Sequence, residues 1–217
     1  MSITFANTVN FNNGVSKNMA ISLRREAQKK AIREAILDAT RNIVTNEGWQ
    51  AVSIRKIADA IGYSLPVVYD YFKSKDAILE EFVKNGFAML TKEVTQAKSK
   101  LSEPTAQLEA IGDAYFNFAF KHREYYQMMF GLGMPTCDRV REVEEIGNFG
   151  STIIGIIQGM MTPPVIKEQT ILKFHTFWSI LHGLTSINMV NIAATPNQLQ
   201  QQVLQDAIQG FIKNINN

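Results

Sequence analysis

The apolar residues of this chain recur at intervals of three and four. No run alternates with the period of two that a half-buried strand requires. Ile32, Ala35, Ile36, Ala39 and Ile43 form one helical stripe within Leu23–Glu47, and Gly48 is placed to end it. Ile54, Ile57, Ala58 and Ile61 repeat the pattern, opened by Ser53 as a cap and closed by Gly62. A short segment, Ser64–Phe72, follows. Ser74 then caps a helix predicted over Lys75–Leu101, which carries Ile78, Leu79, Phe82, Val83 and Leu90. Pro104 stands where a first-turn proline belongs, before a helix to about Lys121. Further helices are predicted over Glu124–Leu132, Asp138–Met161, Ile166–Ala193 and Asn197–Asn214, with Pro163-Pro164 and Thr195-Pro196 as breaks. The expected fold is all-α, with about nine helices. Residues 1–20 are polar and rich in asparagine, lack the regions of a signal peptide, and are expected to be a disordered tail.

Composition limits the function classes. A chain of 217 residues with 46% hydrophobic and 19% charged residues can bury a sizeable core. One cysteine, Cys137, excludes an intramolecular disulfide and a cysteine-clustered zinc site. The most apolar stretch, Ile153–Met161, is interrupted by Gly155, Gln158 and Gly159, short of the roughly 20 residues of a membrane span. The expectation is a cytoplasmic protein without a membrane partner. Charge is uneven: residues 21–100 carry 14 Lys and Arg against 10 Asp and Glu, and residues 101–217 carry 7 against 10. The first half is therefore suited to an anionic partner, although solvated helical faces give a similar balance.

Two short helices around Gly62-Tyr63 have helix-turn-helix spacing. Glycine can take the left-handed conformation that such a turn needs. With Ile57, Ala58 and Ile61 facing the preceding helix and Val68 and Phe72 completing a small core, Ser64, Leu65, Pro66 and Val67 point outward. In a DNA-binding unit these are the positions that approach base edges. The same spacing also fits an ordinary helical hairpin.

The residues Gly62-Tyr63-Ser64-Leu65-Pro66-Val67-Val68-Tyr69-Asp70-Tyr71-Phe72-Lys73-Ser74-Lys75-Asp76 resemble the signature of TetR/AcrR-type transcriptional regulators. Ile36-Leu37-x-Ala39, Gly48 and Ser53-Ile54-x-x-Ile57-Ala58 agree upstream, so the resemblance covers residues 30–90. It implies a DNA-binding domain over 30–90, with the helix-turn-helix at 53–72, and an effector-binding and dimerisation domain over 101–217. Tyr69 and Lys75 match the family's phosphate-contacting tyrosine and lysine. Tyr71 belongs to the same aromatic run. Ser53 matches a position facing the DNA backbone, and also serves as a plain cap. Arg55 and Lys56 can add charge toward phosphate or stay solvated. Leu65, Pro66 and Val67 stand where relatives often carry Lys-Gly-Thr. Leu65 and Val67 can offer thymine methyls only apolar contact. Asp70 replaces a frequent histidine; it can accept from cytosine but repels phosphate.

Trp178-Ser179-Ile180-Leu181-His182-Gly183 is similar to the Trp-His-Gly motif of one subgroup's effector domain. Phe116–Phe120, His122-Arg123 and Tyr126-x-x-Met129-Phe130 resemble that subgroup's aromatic segment. The candidate effector pocket is Phe116, Phe120, Tyr126, Met129, Phe130, Phe174, His175, Trp178 and His182, with Gln158 as a further polar handle. His175 and His182 lie two helical turns apart and either orient a ligand or are buried structural histidines. They are out of register with His122 and Cys137, so no metal site is expected. No cofactor is implied. No catalytic constellation is recognisable either, because Glu144-Glu145 are adjacent on a helix and do not face each other. The expected protein is a ligand-responsive repressor that binds a pseudo-palindromic double-stranded operator as a homodimer and is released by a small, largely apolar or aromatic molecule. The dimer contact is expected on the last two long helices, through Leu199, Val203, Ala207, Gly210 and Phe211 beside Ile180, Leu184, Ile187 and Val190. The alternative is a helical small-molecule-binding protein without a DNA role.

Overall fold

The computed structural model describes residues 8–131, 143–189 and 195–216. These contain nine α-helices, one 3-10 turn and no strand. Cys137, the predicted helix start at Asp138, and Val190 lie outside the described residues. The chain divides into two compact units between Ile78 and Leu79.

The first unit holds α1 (Thr8–Glu47), a 3-10 turn (Trp49–Ala51), α2 (Ile54–Ile61), α3 (Leu65–Tyr71) and the first turn of α4 (Lys75–Lys98). Along α1, Ile36, Ala39, Thr40, Ile43 and Val44 are buried, while Ile32 and Ala35 stay half-exposed. Gly48, at φ 81°, ends the helix with its N–H donating to the Val44 carbonyl at 2.9 Å. Of the residues 1–20 expected to form a tail, residues 8–20 belong to α1. Once a helix is nucleated, each added residue needs only to propagate it, and no proline interrupts this stretch. Ser53 caps α2, its Oγ accepting the Lys56 N–H at 3.1 Å. Gly62 closes α2 in the left-handed region at φ 71°. Ile57, Ala58, Val68 and Phe72 then complete the small core, and Ile61 is left half-exposed.

The second unit contains the rest of α4, α5 (Pro104–Lys121), α6 (Arg123–Phe130), α7 (Glu144–Met160), α8 (Lys167–Asn188) and α9 (Gln198–Lys213). Residues 79–90, which the sequence reading joined to the first domain, pack in this unit. Phe82 meets Tyr125 at 5.4 Å, and Phe87 meets Phe130 at 5.5 Å and Phe149 at 6.0 Å between ring centroids. The reason is that the apolar stripe of α4 runs on through Val83, Phe87, Leu90 and Val94, all buried. The core is built from Leu108, Ile111, Tyr115 and Phe118 of α5, Phe149, Ile153 and Ile157 of α7, Phe177 and Leu181 of α8, and Leu204 and Ile208 of α9. Gly112 permits close approach of α5 and α9, since a Cβ there would lie 2.2 Å from Ile208 Cδ1. α9 opens with a reciprocal cap between Asn197 and Gln200.

Candidate nucleic-acid interface and effector site

α3 presents two faces. Val68 and, just beyond the helix, Phe72 are buried, whereas Leu65, Pro66, Tyr69 and Asp70 are exposed and Val67 and Tyr71 half-buried. Helical spacing puts Leu65, Pro66, Tyr69 and Asp70 on one side, so an apolar patch and a phenol point outward beside one carboxylate. Ser64 precedes the helix with its hydroxyl outside any cap bond. Arg55 and Ser53 are exposed at the start of α2. Lys56 is paired with Glu47 at 2.5 Å.

Lys75 is more engaged than its sequence position suggests. Its Nζ donates to the Trp49 carbonyl at 2.8 Å and lies 4.6 Å from the Trp49 ring centroid. Partial burial pulls its pKa below the usual lysine value, against a smaller opposing effect of Asp76. The contact pins the start of α4 to the 3-10 turn and leaves two of the three ammonium protons for another acceptor. Lys73, absent from the predicted site, is exposed just after α3, its Nζ 3.5 Å from the Tyr69 carbonyl. Its charge in the aromatic run was the available signal.

In the second unit, a hydrogen-bonded chain crosses from α5 to α8. Tyr115 and Tyr126 hydroxyls lie 3.1 Å apart, and Tyr126 Oη is 2.7 Å from His182 Nδ1. Ser186 Oγ lies 3.4 Å from His182 Nε2. Burial raises the Tyr126 phenol to about 12 and pushes Tyr115 well up, so both stay protonated. Burial lowers the His182 pKa from its ordinary 6.5. One assignment satisfies the chain: Tyr115 donates to Tyr126, Tyr126 donates to Nδ1, and the Nε2–H points toward Ser186.

Of the predicted pocket residues, Tyr126, Phe130, Phe174, His175, Trp178 and His182 come together. Phe130 lies 4.6 Å from both Tyr126 and His182 and 6.2 Å from Trp178, and Phe174 lies 5.7 Å from Trp178. Met129 is buried against Gly86, where a Cβ would sit 2.4 Å from its Sδ. Phe116 and Phe120 instead pair with each other at 5.1 Å in the core. His175 and Gln158 are exposed. The sequence reading missed Tyr115 and Phe149, which contact Tyr126 and Trp178 at 5.9 Å each. Trp178 Nε1 is buried with no partner in hydrogen-bond geometry among the described residues, although the indole is near enough to favour the Tyr115 phenolate slightly. A cavity of about 190 Å³ opens at Tyr126, Gln127, Phe130, Gly131, Ser186 and Met189.

The lowered His182 pKa has a pH consequence. Below 6.5 the unfolded chain takes up a proton that the folded site resists. The contribution of this group is therefore full above 6.5 and is lost as pH falls toward the lowered folded value. His182→Gln should show a smaller loss of thermal midpoint than the parent between about pH 8 and about pH 5. Equal losses in the two proteins would show that this histidine does not titrate as argued.

A short helix pair turned by Gly62 with one outward face, followed along the chain by a helical unit with an aromatic interior, has the architecture of a helix-turn-helix protein. Residues 36–82 match the model for bacterial regulatory proteins of the tetR family, and residues 108–209 match the tetracyclin repressor-like C-terminal domain. The chain belongs to the TetR family. It is 30% identical over 102 residues to the HTH-type transcriptional activator FasR of Mycolicibacterium smegmatis, a match covering 45% of each chain. It spans about half the length, or less, of the curated relatives it matches. Its fold is similar to that of the TetR family regulator PfmR from Thermus thermophilus, with a TM-score of 0.60 and 17% identity over 84% of this chain and 99% of that one. The regulator FadR from Bacillus subtilis, solved in complex with stearoyl-CoA, gives 0.64 and 16% over 82% and 98%. No helix among the described residues is long and apolar enough to cross a membrane.

Proposed function

We propose that the protein is a DNA-binding transcriptional repressor that acts as a homodimer on a pseudo-palindromic operator and is released by a small, largely apolar or aromatic molecule. The observation that carries this reading is the outward face of α3. Leu65, Pro66, Tyr69 and Asp70 are exposed on a helix whose opposite side is fixed by buried Val68 and Phe72. A rigid helix bearing outward apolar groups can read thymine methyls in a major groove. Ser53, Arg55, Ser64, Tyr69 and Lys75 supply hydroxyl and cationic donors for phosphate oxygens. The second unit supplies the effector site, where the Tyr115–Tyr126–His182 chain offers polar anchoring within aromatic walls. Its Trp178, His182 and Gly183 support placement in the Trp-His-Gly subgroup.

Selection of binding sites from random duplex DNA tests the reading. A two-fold related motif is expected, and absence of any enriched motif would favour a ligand-binding protein without a DNA role. Two variants should then separate sequence reading from anchoring. Leu65→Ala should change base preference by about 1–3 kcal/mol at the contacted pair. Lys75→Ala should weaken all sites alike and flatten the dependence of log affinity on log salt by about one. An unchanged salt slope would confine Lys75 to pinning α4 on Trp49.

A further inference from the structure

The family match begins at residue 36, yet α1 starts at Thr8. Residues 19–31 are exposed along their whole length, so none of the described residues covers this part of the extension. Between residues 19 and 35 it carries five Lys and Arg against two Glu. That local excess is larger than the net charge of +2 for the entire chain. At about 100° per residue, Arg24, Arg25, Lys29 and Arg33 fall in one half of the helix circumference. Glu26 and Glu34 fall in the other half, with Lys30 between them. Lys29 reaches Glu26 at 3.4 Å, an exposed pair that water screens and a phosphate can displace. The basic half is the continuation of the stripe Ile36, Ala39 and Ile43, which are buried in the first unit. The cations of the extension thus point to the side of α1 on which α2 and α3 are built.

Arg33 fixes where the extension leaves the unit. Its guanidinium lies 5.1 Å from the ring centroid of Phe72, the residue that ends α3. From there α1 carries the basic face outward to Arg24, nine residues on, a rise of about 14 Å. That distance is comparable with the width of a major groove, about 12 Å. A duplex seated on α3 would bring its flanking phosphates within reach of these side chains.

We infer that the basic face of the α1 extension, Arg24, Arg25 and Lys29, is a second DNA-backbone contact flanking the site read by α3. This rests on the DNA-binding reading above. The partner is the phosphate backbone of duplex DNA, bound without regard to sequence. These cations displace condensed counterions, so each phosphate they neutralise adds about 0.9 to the salt slope.

The test compares the parent chain with a triple variant, Arg24→Gln, Arg25→Gln and Lys29→Gln, on a duplex of arbitrary sequence of about 40 base pairs, between about 50 and 200 mM salt. Glutamine keeps helix propensity, and circular dichroism checks that α1 persists. The expected result is a slope shallower by about two to three per chain, an affinity at least roughly tenfold lower at the upper salt concentration, and a shorter footprint on a selected operator. A parent that binds DNA while the variant keeps its slope and footprint would overturn the α1 contact alone. A parent that binds no DNA at all would overturn both this contact and the function on which it rests.

Discussion

Ala207→Glu should leave the protein monomeric and reduce operator affinity by at least roughly a thousandfold. The outer surfaces of α8 and α9 are more apolar than solvent exposure warrants. Leu172 is 62% exposed, Ile187 73% and Leu199 68%, and Val203 stands beside them at 43%. A groove of about 430 Å³ runs between Leu172, Thr176 and Ile180 on one helix and Ala207 and Gly210 on the other. Gly183 and Gly210 have open space where a Cβ would be, so packing within the unit does not require either glycine. A glycine in a helix interior costs about 1 kcal/mol relative to alanine, a cost that close approach of a second copy in the proposed dimer would offset. Phe211 is the exception to the predicted stripe: it is buried against Phe177 at 5.1 Å and belongs to the core. In a two-fold interface a single substitution is met twice. Each buried unpaired carboxylate costs about 3–5 kcal/mol, enough to dissociate an ordinary dimer. A monomer offers one α3 to one half-site and loses the second half of the binding energy. Sedimentation at several concentrations reads the outcome, and a dimer indifferent to this charge would place the contact on another face.

The parts of the structure that were legible in the sequence are those decided by neighbours along the chain. Ser53 and Ser74 cap the helices they precede, with Oγ accepting from Lys56 and Ala77. Gly62 adopts the left-handed conformation its place demanded, and Val68 and Phe72 are buried at helical spacing. Pro104 begins α5. What stayed hidden depends on residues far apart in sequence. His182 stands out in the Trp-His-Gly motif and by its spacing from His175, yet its shortest hydrogen bond is to Tyr126, 56 residues away. Tyr115 was one aromatic among many, and nothing local marks it as the buried end of that chain. Phe116 and Phe120 look identical to Phe130 in composition terms, but α5 turns them toward each other. The start of α1 was missed because its first turns carry no apolar stripe that periodicity could detect. The division between Ile78 and Leu79 leaves no mark in the sequence because α4 is one unbroken helix, and only tertiary packing assigns Phe82 and Phe87 to the second unit.

An inducing ligand should lower operator affinity about a hundredfold, which requires a preference of about 2.7 kcal/mol for the state that does not bind DNA. The site proposed for it lies around Phe130, Trp178 and His182. The adjoining cavity of about 190 Å³, lined by Tyr126, Phe130, Ser186 and Met189 rather than by Trp178 or His182, is smaller than the roughly 300 Å³ at the lower end for drug-sized ligands. Binding must therefore displace side chains, and displacement is what gives a ligand unequal affinity for two states. Phe130 is the side chain best placed to pass this on, since it contacts Tyr126, His182 and Trp178 and also Phe87 of α4. α4 begins in the first unit at Lys75, where it is held to Trp49, so in the proposed mechanism a shift of Phe87 would act on a helix whose first turn belongs to the first unit. The two tryptophans of the chain separate the steps. Trp178 should change fluorescence on ligand binding, and Trp178→Phe should remove that change while leaving the Trp49 signal. Reciprocity sets the decisive measurement: saturating operator DNA must weaken the ligand by the same hundredfold factor. A compound that quenches Trp178 yet binds the free protein and the operator complex equally well is not an inducer. If every compound that enters the site behaves that way, the site is uncoupled from DNA binding and the second unit serves dimerisation.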